Sequence, residues 1–488
     1  MPKSTALVLF FCLAIWTQAA AQPIPDTGQV ACYNLTGPIP CPSHHDDPFY
    51  GQDAHYIINP MFYTKLGMDG AELIELPDDA EHVDEGGPWI MTRDNVTGLI
   101  WEIKRKKDGV ANYDDPHDAD NIYTWYDPTI FPPESAGTPG DGTDTQDFLD
   151  ALNNSKFGGF SDWRLPTVKE LAYLVNYSKV PNTNAWGLAI NEDYFPNLLG
   201  NEPAYLNDGE DRYWSATELS IDLYHFQYNA WHMFYRLPAW GGTAKDKKAP
   251  VMAVRGPKSF EPNYLNNKNG TVTDHLTGLV WQKTVDPNSM NWEDALAYCE
   301  GLVLAEQNDW RMPNIKELLS LVDFERYDPA INRSYFPGDN LSRNFWSSTS
   351  DPRKPADAGW AYSIDFAWGA ISHQSRDGYI PVRCVRGGQT GYSGSLTVVI
   401  EPEGARDAGA QWRLQNTQTW RDSGYTLSNI PVGNHVVEFK AVPGFKPSGT
   451  INVVVMLNKT QTYSGFYLEG SKVVPGVLLL LLDGEQPS

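Results

Sequence analysis

Two sets of charged residues have the chemical types needed for acid–base catalysis, and each set contains an aspartate, an arginine and a glutamate: Asp162, Arg164, Glu170 and Asp309, Arg311, Glu317. A positioned carboxylate can act as a general acid or base. However, an arginine beside carboxylates at the start of a helix more often forms an ion pair that holds a loop. The adjacent Trp163 and Trp310 are large residues that suit a core. We therefore predict structural roles for all eight residues.

A second candidate set combines aromatic faces with polar groups, as recognition of a carbohydrate or a peptide requires. Its members are Trp360, Tyr362, Trp368, His373 and Arg376. Two turn signals, one after Trp368 and one after Arg376, favour exposed loop tips, so we predict a ligand-binding surface here. The alternative is that alternate members face the core. A comparable earlier set comprises Tyr224, His225, Trp231, His232, Tyr235 and Trp240.

Acidic loops are the remaining candidates for chemistry. Aspartates cluster at Asp108, Asp114, Asp115, Asp118, Asp120, Asp141 and Asp144. Carboxylate oxygens suit Ca²⁺, although no stretch follows the pattern of a twelve-residue calcium loop. The chain has no Gly-rich phosphate loop, no H-E-x-x-H and no G-x-S-x-G motif. We predict a protein without catalysis and without a cofactor, with Ca²⁺ as an open alternative.

These candidates lie on a scaffold that the chain contains twice. Asp94 to Trp101 returns as Asp274 to Trp281, and Asp162 to Leu171 returns as Asp309 to Leu318. Three shorter anchors, Tyr-Phe-Pro, aromatic-Trp-Ser and Val-Arg-Gly, follow in the same order. We therefore predict a tandem duplication, with copy one at 60–257 and copy two at 260–388. The longer intervals in copy one indicate surface insertions.

Local patterns predict helices first and strands later within each copy. Thr167-x-x-Glu170 and Asn314-x-x-Glu317 are capping boxes. A second helix of copy two is indicated by apolar residues at helical spacing: Trp292, Ala295, Leu296, Cys299 and Leu302. After Trp346 the spacing changes to two, which indicates strands. The predicted fold class of each copy is α+β.

The cysteines of the exported chain can pair in three ways. Copy one has Leu152 where copy two has Cys299, and Ala253 where copy two has Cys384. If Cys299 and Cys384 are bonded to each other, we expect a copy that lacks one of these cysteines to lack the other as well. We therefore favour Cys299–Cys384, and Cys32–Cys41 follows as a small local loop.

The remaining segments complete the predicted organisation of the 488 residues. Residues 1–21 have the charged start, apolar core and small-residue end of a cleaved signal peptide. A lead-in follows at 22–59, and short strand-like runs predict a β-sandwich, the C-terminal module, at 391–470. The tail at 471–488 is too short and interrupted to span a bilayer. With 61 acidic and 37 basic residues, the chain is a poor partner for nucleic acids.

The repeated anchors resemble the family named after the C-terminal domain of the Legionella collagen-like adhesin (Lcl). That resemblance covers about 60–388. The motifs are also similar to the signature of formylglycine-generating enzymes, which implies a C-type-lectin-like fold for both copies. The C-terminal module resembles PEGA-type modules, small immunoglobulin-like sandwiches of bacterial surfaces, through Ile400 to Ala405, Gly409 to Trp412 and Gly433 to Val436.

The resemblance implies a secreted bacterial protein, at the cell surface or in the periplasm, that binds a carbohydrate or protein ligand. Two alternatives stay open. One is an oxidoreductase related to formylglycine-generating enzymes, which would need a reactive cysteine. The other is a structural subunit of a surface assembly. We expect no nucleic-acid partner and no membrane span; the oligomeric state is left open.

Overall fold

The structure is a computed structural model. It describes residues 22–73, 87–129, 137–138, 140–180, 187–198, 212–219, 228–236, 238–257, 262–338, 341, 343–353, 359–388, 393–415, 417, 419–431, 433–455 and 459–469. The predicted signal peptide (1–21) and tail (471–488) lie outside these residues, as do Tyr224 and His225.

The lead-in and copy one contain small antiparallel sheets and short helices. The elements of the lead-in are β1 (Cys32–Tyr33), β2 (Pro38–Ile39) and a 3₁₀ turn (Asp53–His55). Those of copy one are β3 (Tyr63–Leu66), β4 (Met91–Asp94), β5 (Ile100–Glu102), β6 (Tyr123–Thr124), α1 (Thr145–Asn154), a 3₁₀ turn (Phe157–Gly159), α2 (Val168–Tyr173), β7 (Arg212–Glu218), β8 (Asn229–Phe234), β9 (Ala239–Ala244), β10 (Lys248–Ala249) and β11 (Val254–Arg255).

Copy two repeats this order without the small β6–β10 pair of copy one. Its elements are β12 (Tyr264–Asn266), β13 (Thr271–Asp274), β14 (Leu279–Gln282), α3 (Trp292–Glu300), α4 (Ile315–Ser320), β15 (Asn344–Asp351), β16 (Trp360–Asp365), β17 (Ala370–Ser375) and β18 (Val385–Gly387). The sheet order β11-β5-β4-β3 of copy one matches β18-β14-β13-β12, and β7-β8-β9 matches β15-β16-β17. The chain therefore contains two tandem domains of one β-rich topology with few helices.

The repeated charged motif makes the same contacts at the start of a helix in both copies, α2 in copy one and α4 in copy two. Thr167 caps α2 and Asn314 caps α4, each in a capping box with the glutamate three residues later, as predicted. Each glutamate also accepts two hydrogen bonds from the preceding arginine, Arg164 or Arg311. The glutamate thus joins the helix start to an arginine that is bridged to the closing strand of its copy, at Val254 or Val385.

The two copies pack against each other through equivalent surfaces and share one apolar core. Lys169 Nζ lies 3.2 Å from the Ser320 carbonyl oxygen, and its counterpart Lys316 Nζ lies 2.7 Å from the Tyr173 carbonyl oxygen. In each of these contacts the lysine donates to the last residue of the other copy's helix. Such reciprocity is the mark of a two-fold interface.

Aromatic rings repeat the same reciprocal relation. Tyr177 of copy one packs on Tyr362 of copy two at 4.9 Å between ring centroids, and Phe324 of copy two packs on Trp231 of copy one at 5.2 Å. Trp231 and Tyr362 are equivalent, because the carbonyl of each accepts a hydrogen bond from the serine of its Trp-Ser anchor. The copies therefore form one folded body about a local pseudo-two-fold axis.

The C-terminal module has its own core. Its elements are β19 (Ser393–Glu401), α5 (Glu403–Asp407), β20 (Gln411–Leu414), β21 (Arg421–Asp422), β22 (Thr426–Pro431), β23 (Gly433–Phe439), β24 (Phe445–Pro447), β25 (Ile451–Val455) and β26 (Thr460–Glu469). Two four-stranded sheets, β22-β19-β26-β24 and β21-β20-β23-β25, enclose a cluster around Trp412. The short helix α5 lies between the first two strands of the module.

Two other features concern the chain as a whole. The predicted pairs Cys32–Cys41 and Cys299–Cys384 are confirmed as disulfides. None of the helices in the described part of the chain is both long and apolar enough to cross a lipid bilayer.

We expect Tyr362→Ala to lower the free energy of unfolding by about 3 kcal/mol or more, the usual cost of removing an aromatic ring from a core. Tyr362 is 1% exposed and packs across the boundary between the copies. The matched control is Trp368→Ala, because Trp368 is 46% exposed on the same hairpin. That change should cost about 1 kcal/mol or less. Urea unfolding measures both, and equal costs would contradict the shared core.

We also expect an isolated 391–470 fragment to fold, because its buried cluster draws only on residues from Leu396 to Tyr467. Amide dispersion in a proton–nitrogen NMR spectrum measures this. A collapsed, poorly dispersed spectrum would show that the module depends on the rest of the chain.

Candidate ligand-binding cleft

The lead-in lies in a groove along the boundary between the two copies. On the copy-two side, Lys316 Nζ donates to the Asp26 carbonyl at 2.8 Å. The Gln29 carboxamide makes paired bonds of 2.9 Å with the backbone carbonyl and amide of Ser350. On the copy-one side, the Tyr177 amide donates to the Thr27 carbonyl at 2.8 Å. Residues 26–29 are therefore held by both copies through main-chain groups and the Gln29 side chain.

A buried carboxyl group fastens this segment further. Asp53 Oδ2 accepts hydrogen bonds from Thr27 at 2.8 Å and from Thr349 of copy two at 2.6 Å. Burial, with the nearby Asp26 as a second cause, raises the pKa of Asp53 to about 8. Asp53 therefore carries its proton at neutral pH, which avoids the cost of burying a charge.

The pseudo-two-fold axis relates this filled groove to a second groove, which we call the cleft. The cleft has a volume of about 700 Å³, within the range of small-ligand sites. Copy one lines it with Thr167, Val168, Lys169, Glu170, Ala216, Thr217 and Glu218. Copy two lines it with Pro262, Asn263, Tyr264, Leu321, Val322, Asp323, Phe324, Glu325, Asn332 and Tyr335. No residue of the described part of the chain fills it.

The two grooves correspond residue by residue at their floors. Lys169 and Phe324 of the cleft are equivalent to Lys316 and Tyr177 of the filled groove. Thr217 is equivalent to Thr349. The hydroxyl of each accepts a hydrogen bond from the backbone N–H of the first residue of the adjacent helix, at 3.1 Å in copy one and 3.0 Å in copy two. Glu218 is equivalent to Ser350, because each is the first paired residue after the same register shift in its pair of strands. The cleft is thus a second version of a groove that already holds polypeptide.

Exposure differs sharply between the two versions. Ser348 and Ser350 are buried, and the lead-in contacts Ser350, whereas their counterparts Ala216 and Glu218 are exposed. Tyr264 also lines the cleft, and its buried hydroxyl has no hydrogen-bond partner among the described residues. A buried polar group without a partner is costly, so a ligand that reaches this hydroxyl would gain from the contact.

The charges around the cleft are largely compensated. Glu170 is paired with Arg164, Glu218 with Lys245 at 3.0 Å, and Asp323 with Arg326 at 2.6 Å. Lys169 also lines the cleft. Such a site suits a polar ligand rather than a polyanion.

The predicted surface of copy two is not brought together at one place. Tyr362 is in the shared core, and Arg376 is buried, with its guanidinium 4.2 Å over Trp292 and bonded to the Asn34 carbonyl at 2.9 Å. Neither side chain therefore lies at an exposed loop tip, and a role of either residue in ligand binding stays a prediction. The sequence could not show that the lead-in covers Arg376, nor that copy one covers Tyr362.

The other three members of that surface lie at opposite ends of the β16–β17 hairpin. Trp360 and His373 pack together, with 5.3 Å between ring centroids. Trp368 lies in the turn, beyond the Asp365↔Ala370 pair. Five residue steps of strand separate the two places, about 17 Å. Their role in binding stays a prediction, but they cannot contact one small ligand together.

The comparable residues of copy one are core residues where the structure describes them. Trp231, His232, Tyr235 and Trp240 are all buried. Burial, with Arg212 as a second cause, lowers the pKa of His232 to about 3, so this side chain is neutral. The alternative of core packing therefore holds for these four residues.

The acidic loops of copy one are held by hydrogen bonds of their own. Asp120 accepts the backbone amides of Asp108 and Gly109, and Asp115 pairs with Arg105 and Lys106. Within the described ranges, the one group of three possible metal ligands is Cys32, Cys41 and His55, and its two sulfurs are bonded to each other. The Ca²⁺ alternative stays untested.

The charged sets and cysteines have structural contacts. Besides Arg164–Glu170 and Arg311–Glu317, Asp162 pairs with Arg255 and Asp309 with Arg386. Trp163 and Trp310 donate their indole N–H to the carbonyls of Phe157 and Leu304. The four cysteines of the described chain are all in disulfides. None of these groups lines the cleft except Glu170.

Sequence reasoning missed the cleft, although one signal was available. A lysine directly precedes the glutamate of the capping box in both copies, at Lys169 and Lys316. A helix this short and this buried would not normally bury a lysine unless it had a fixed partner. That repeated lysine indicates an internal contact between the copies.

We expect the stability contributed by Asp53 to fall as the pH rises. Its folded pKa of about 8 lies above the ordinary value of 3.8, so the folded state keeps a proton that the unfolded state loses. The contribution is fully present below pH 3.8 and is lost as the pH passes through 8. Asp53→Asn cannot ionise, so the wild-type protein should lose stability relative to this variant between pH 5 and 8, at about 1.4 kcal/mol per pH unit at most.

Urea unfolding at several pH values measures this difference. Burial raises the pKa of Asp26 to about 6, so its contribution to stability also falls as the pH rises. Burial lowers the pKa of Lys316 to about 7, so its contribution to stability instead increases as the pH rises above 7. The matched control is Asp46→Asn, at an exposed position of the lead-in. If the free energies of unfolding of the wild type and of Asp53→Asn differed by the same amount at every pH, the raised pKa of Asp53 would be contradicted.

Comparison with known proteins agrees with the duplicated architecture. The family model described as the Lcl C-terminal domain matches residues 90–255 and again residues 270–386. Curated proteins give no match to the chain. The two family matches lie one within each copy, and together they cover more than half of the sequence. The chain therefore belongs to the Lcl C-terminal domain family, which it carries as a tandem pair.

Proposed function

We propose that this protein is an exported, adhesin-like binding protein of a bacterial surface, and that it recognises its ligand in the cleft without catalysis. The cleft carries the proposal: it lies between two domains of an adhesin-named family, has ligand size, and is lined by polar groups from both copies. Domain boundaries are common places for binding sites.

Other features support binding rather than chemistry. The cysteines of the described chain are in disulfides, which leaves no thiol there for a formylglycine-type oxidation. Of the four carboxylates that line the cleft, those of Glu170, Glu218 and Asp323 are held by capping or by ion pairs. A C-type-lectin-like fold for the copies and a PEGA-like, immunoglobulin-like C-terminal module fit the same proposal. The ligand class is a carbohydrate or a protein segment.

We expect the 22–488 chain to bind members of a combined glycan and peptide array. Ala216→Arg should abolish that binding, because it places a long side chain in the cleft at an exposed position. The matched control is Ala151→Arg, at an exposed position of α1 outside the cleft, and it should bind as wild type does.

Three outcomes would contradict the proposal. Loss of binding in Trp368→Ala together with full binding in Ala216→Arg would move the site to the β16–β17 turn. A free reactive thiol in the folded protein would favour the enzyme. Self-assembly without any ligand on the array would favour a structural subunit.

A further inference from the structure

The groove that holds the lead-in shows what kind of molecule the cleft is built to hold. Residues 26–29 are bound mainly by hydrogen bonds to their backbone carbonyls and to the Gln29 carboxamide. The cleft repeats the lysine, the threonine and the strand edge that line this groove. Resting on the proposed function, we propose that the ligand of the cleft is a peptide segment of a partner protein, with a glycine followed by a carboxamide residue.

The first element of this recognition is a carbonyl contact. Lys316 donates to the carbonyl of Asp26 while it also donates to Tyr173 across the boundary. Its counterpart Lys169 donates to Ser320 across the boundary and lines the cleft. The Lys169 ammonium carries three donor protons, so a peptide carbonyl in the place equivalent to that of Asp26 would be a further acceptor for it.

The second element is a carboxamide that pairs with a strand edge. Gln29 satisfies both the carbonyl and the amide of Ser350. The equivalent edge in the cleft is Glu218, which is exposed. A glutamine or asparagine side chain offers the donor and the acceptor that such an edge needs.

The third element is a glycine. Gly28 has φ +81, and a Cβ there would lie 2.7 Å from Asn176 Oδ1 and 2.7 Å from the Met61 methyl. In the cleft Asp323 takes the place of Asn176 and lines the wall. A peptide that follows the same path therefore needs glycine at this position.

The cleft differs from the filled groove in charge, and this difference selects among peptides. Glu218 replaces Ser350 and Asp323 replaces Asn176, so the cleft is the more acidic of the two. Asp26 uses its carboxylate to accept the amide of Gly28 at 3.0 Å. Asparagine can accept the same bond without a charge, so the cleft should prefer it to aspartate.

The test uses the 22–488 chain and a fluorescent synthetic peptide with the sequence of residues 22–31. Fluorescence anisotropy should show binding, which strengthens several-fold for the peptide with Asp26→Asn and vanishes for the peptide with Gly28→Val. Ala216→Arg should weaken binding by about 10-fold or more, whereas Ala151→Arg should not change it.

A gain of binding gives a second and sharper measurement. Glu218→Ser restores the residue found at the filled groove, and Lys245 keeps its bond to Asp127. This variant should bind the unmodified peptide several-fold more tightly than wild type does. Near-ultraviolet circular dichroism of each variant checks that the fold is retained.

The outcomes separate this inference from the proposed function. Array binding of glycans alone, lost in Ala216→Arg, would leave the proposed function intact and overturn the peptide. Peptide binding that Ala216→Arg leaves unchanged would place the peptide elsewhere and also overturn it. Dimerisation that Ala216→Arg abolishes would make a second copy of the chain the occupant and would equally overturn it.

Discussion

The structure depends on two buried lysines that cross the boundary between the copies. Burying an ammonium group is costly unless its protons are given partners, and here each lysine finds a carbonyl at the end of the other copy's helix. Burial lowers the pKa of Lys316 to about 7, which shows how strongly that environment acts on the charge. The two contacts are reciprocal, so both hold the same relative position of the two helices. The shared aromatic core and both grooves lie at this boundary.

Duplication of a domain creates two equivalent grooves, and the chain treats them differently. One groove holds the lead-in, with Asp53 and Gln29 closing it over Thr349 and Ser350. The other lies open among the described residues. The filled groove keeps the serine that the lead-in contacts, whereas the cleft has Glu218 at that place. Two equivalent grooves of an internal repeat can thus differ, one filled by the chain itself and the other lined by different side chains.

The copies also reach comparable packing by different means. Copy two joins α3 to the strand edge through Cys299–Cys384, inside a cluster that includes Trp310 and Trp346. Copy one places Leu152 and Ala253 at these positions, both fully buried within its own cluster. Apolar side chains fill the space of the missing sulfurs, and the inserted β6–β10 pair adds Tyr123 and Ala249 to the same cluster. The covalent link is therefore replaceable by burial.

The sequence by itself determined the duplication, the capped helices and the disulfide pairing, because each depends on residues close in the chain or on comparison of the two copies. It did not determine which aromatic residues are exposed. Tyr362 and Trp368 have similar chemistry and lie six positions apart, yet copy one covers the first and not the second. Only the tertiary structure decided this, because burial there is set by the other copy. The same holds for the cleft, whose walls come from segments that are distant in sequence and meet only when the copies pack together.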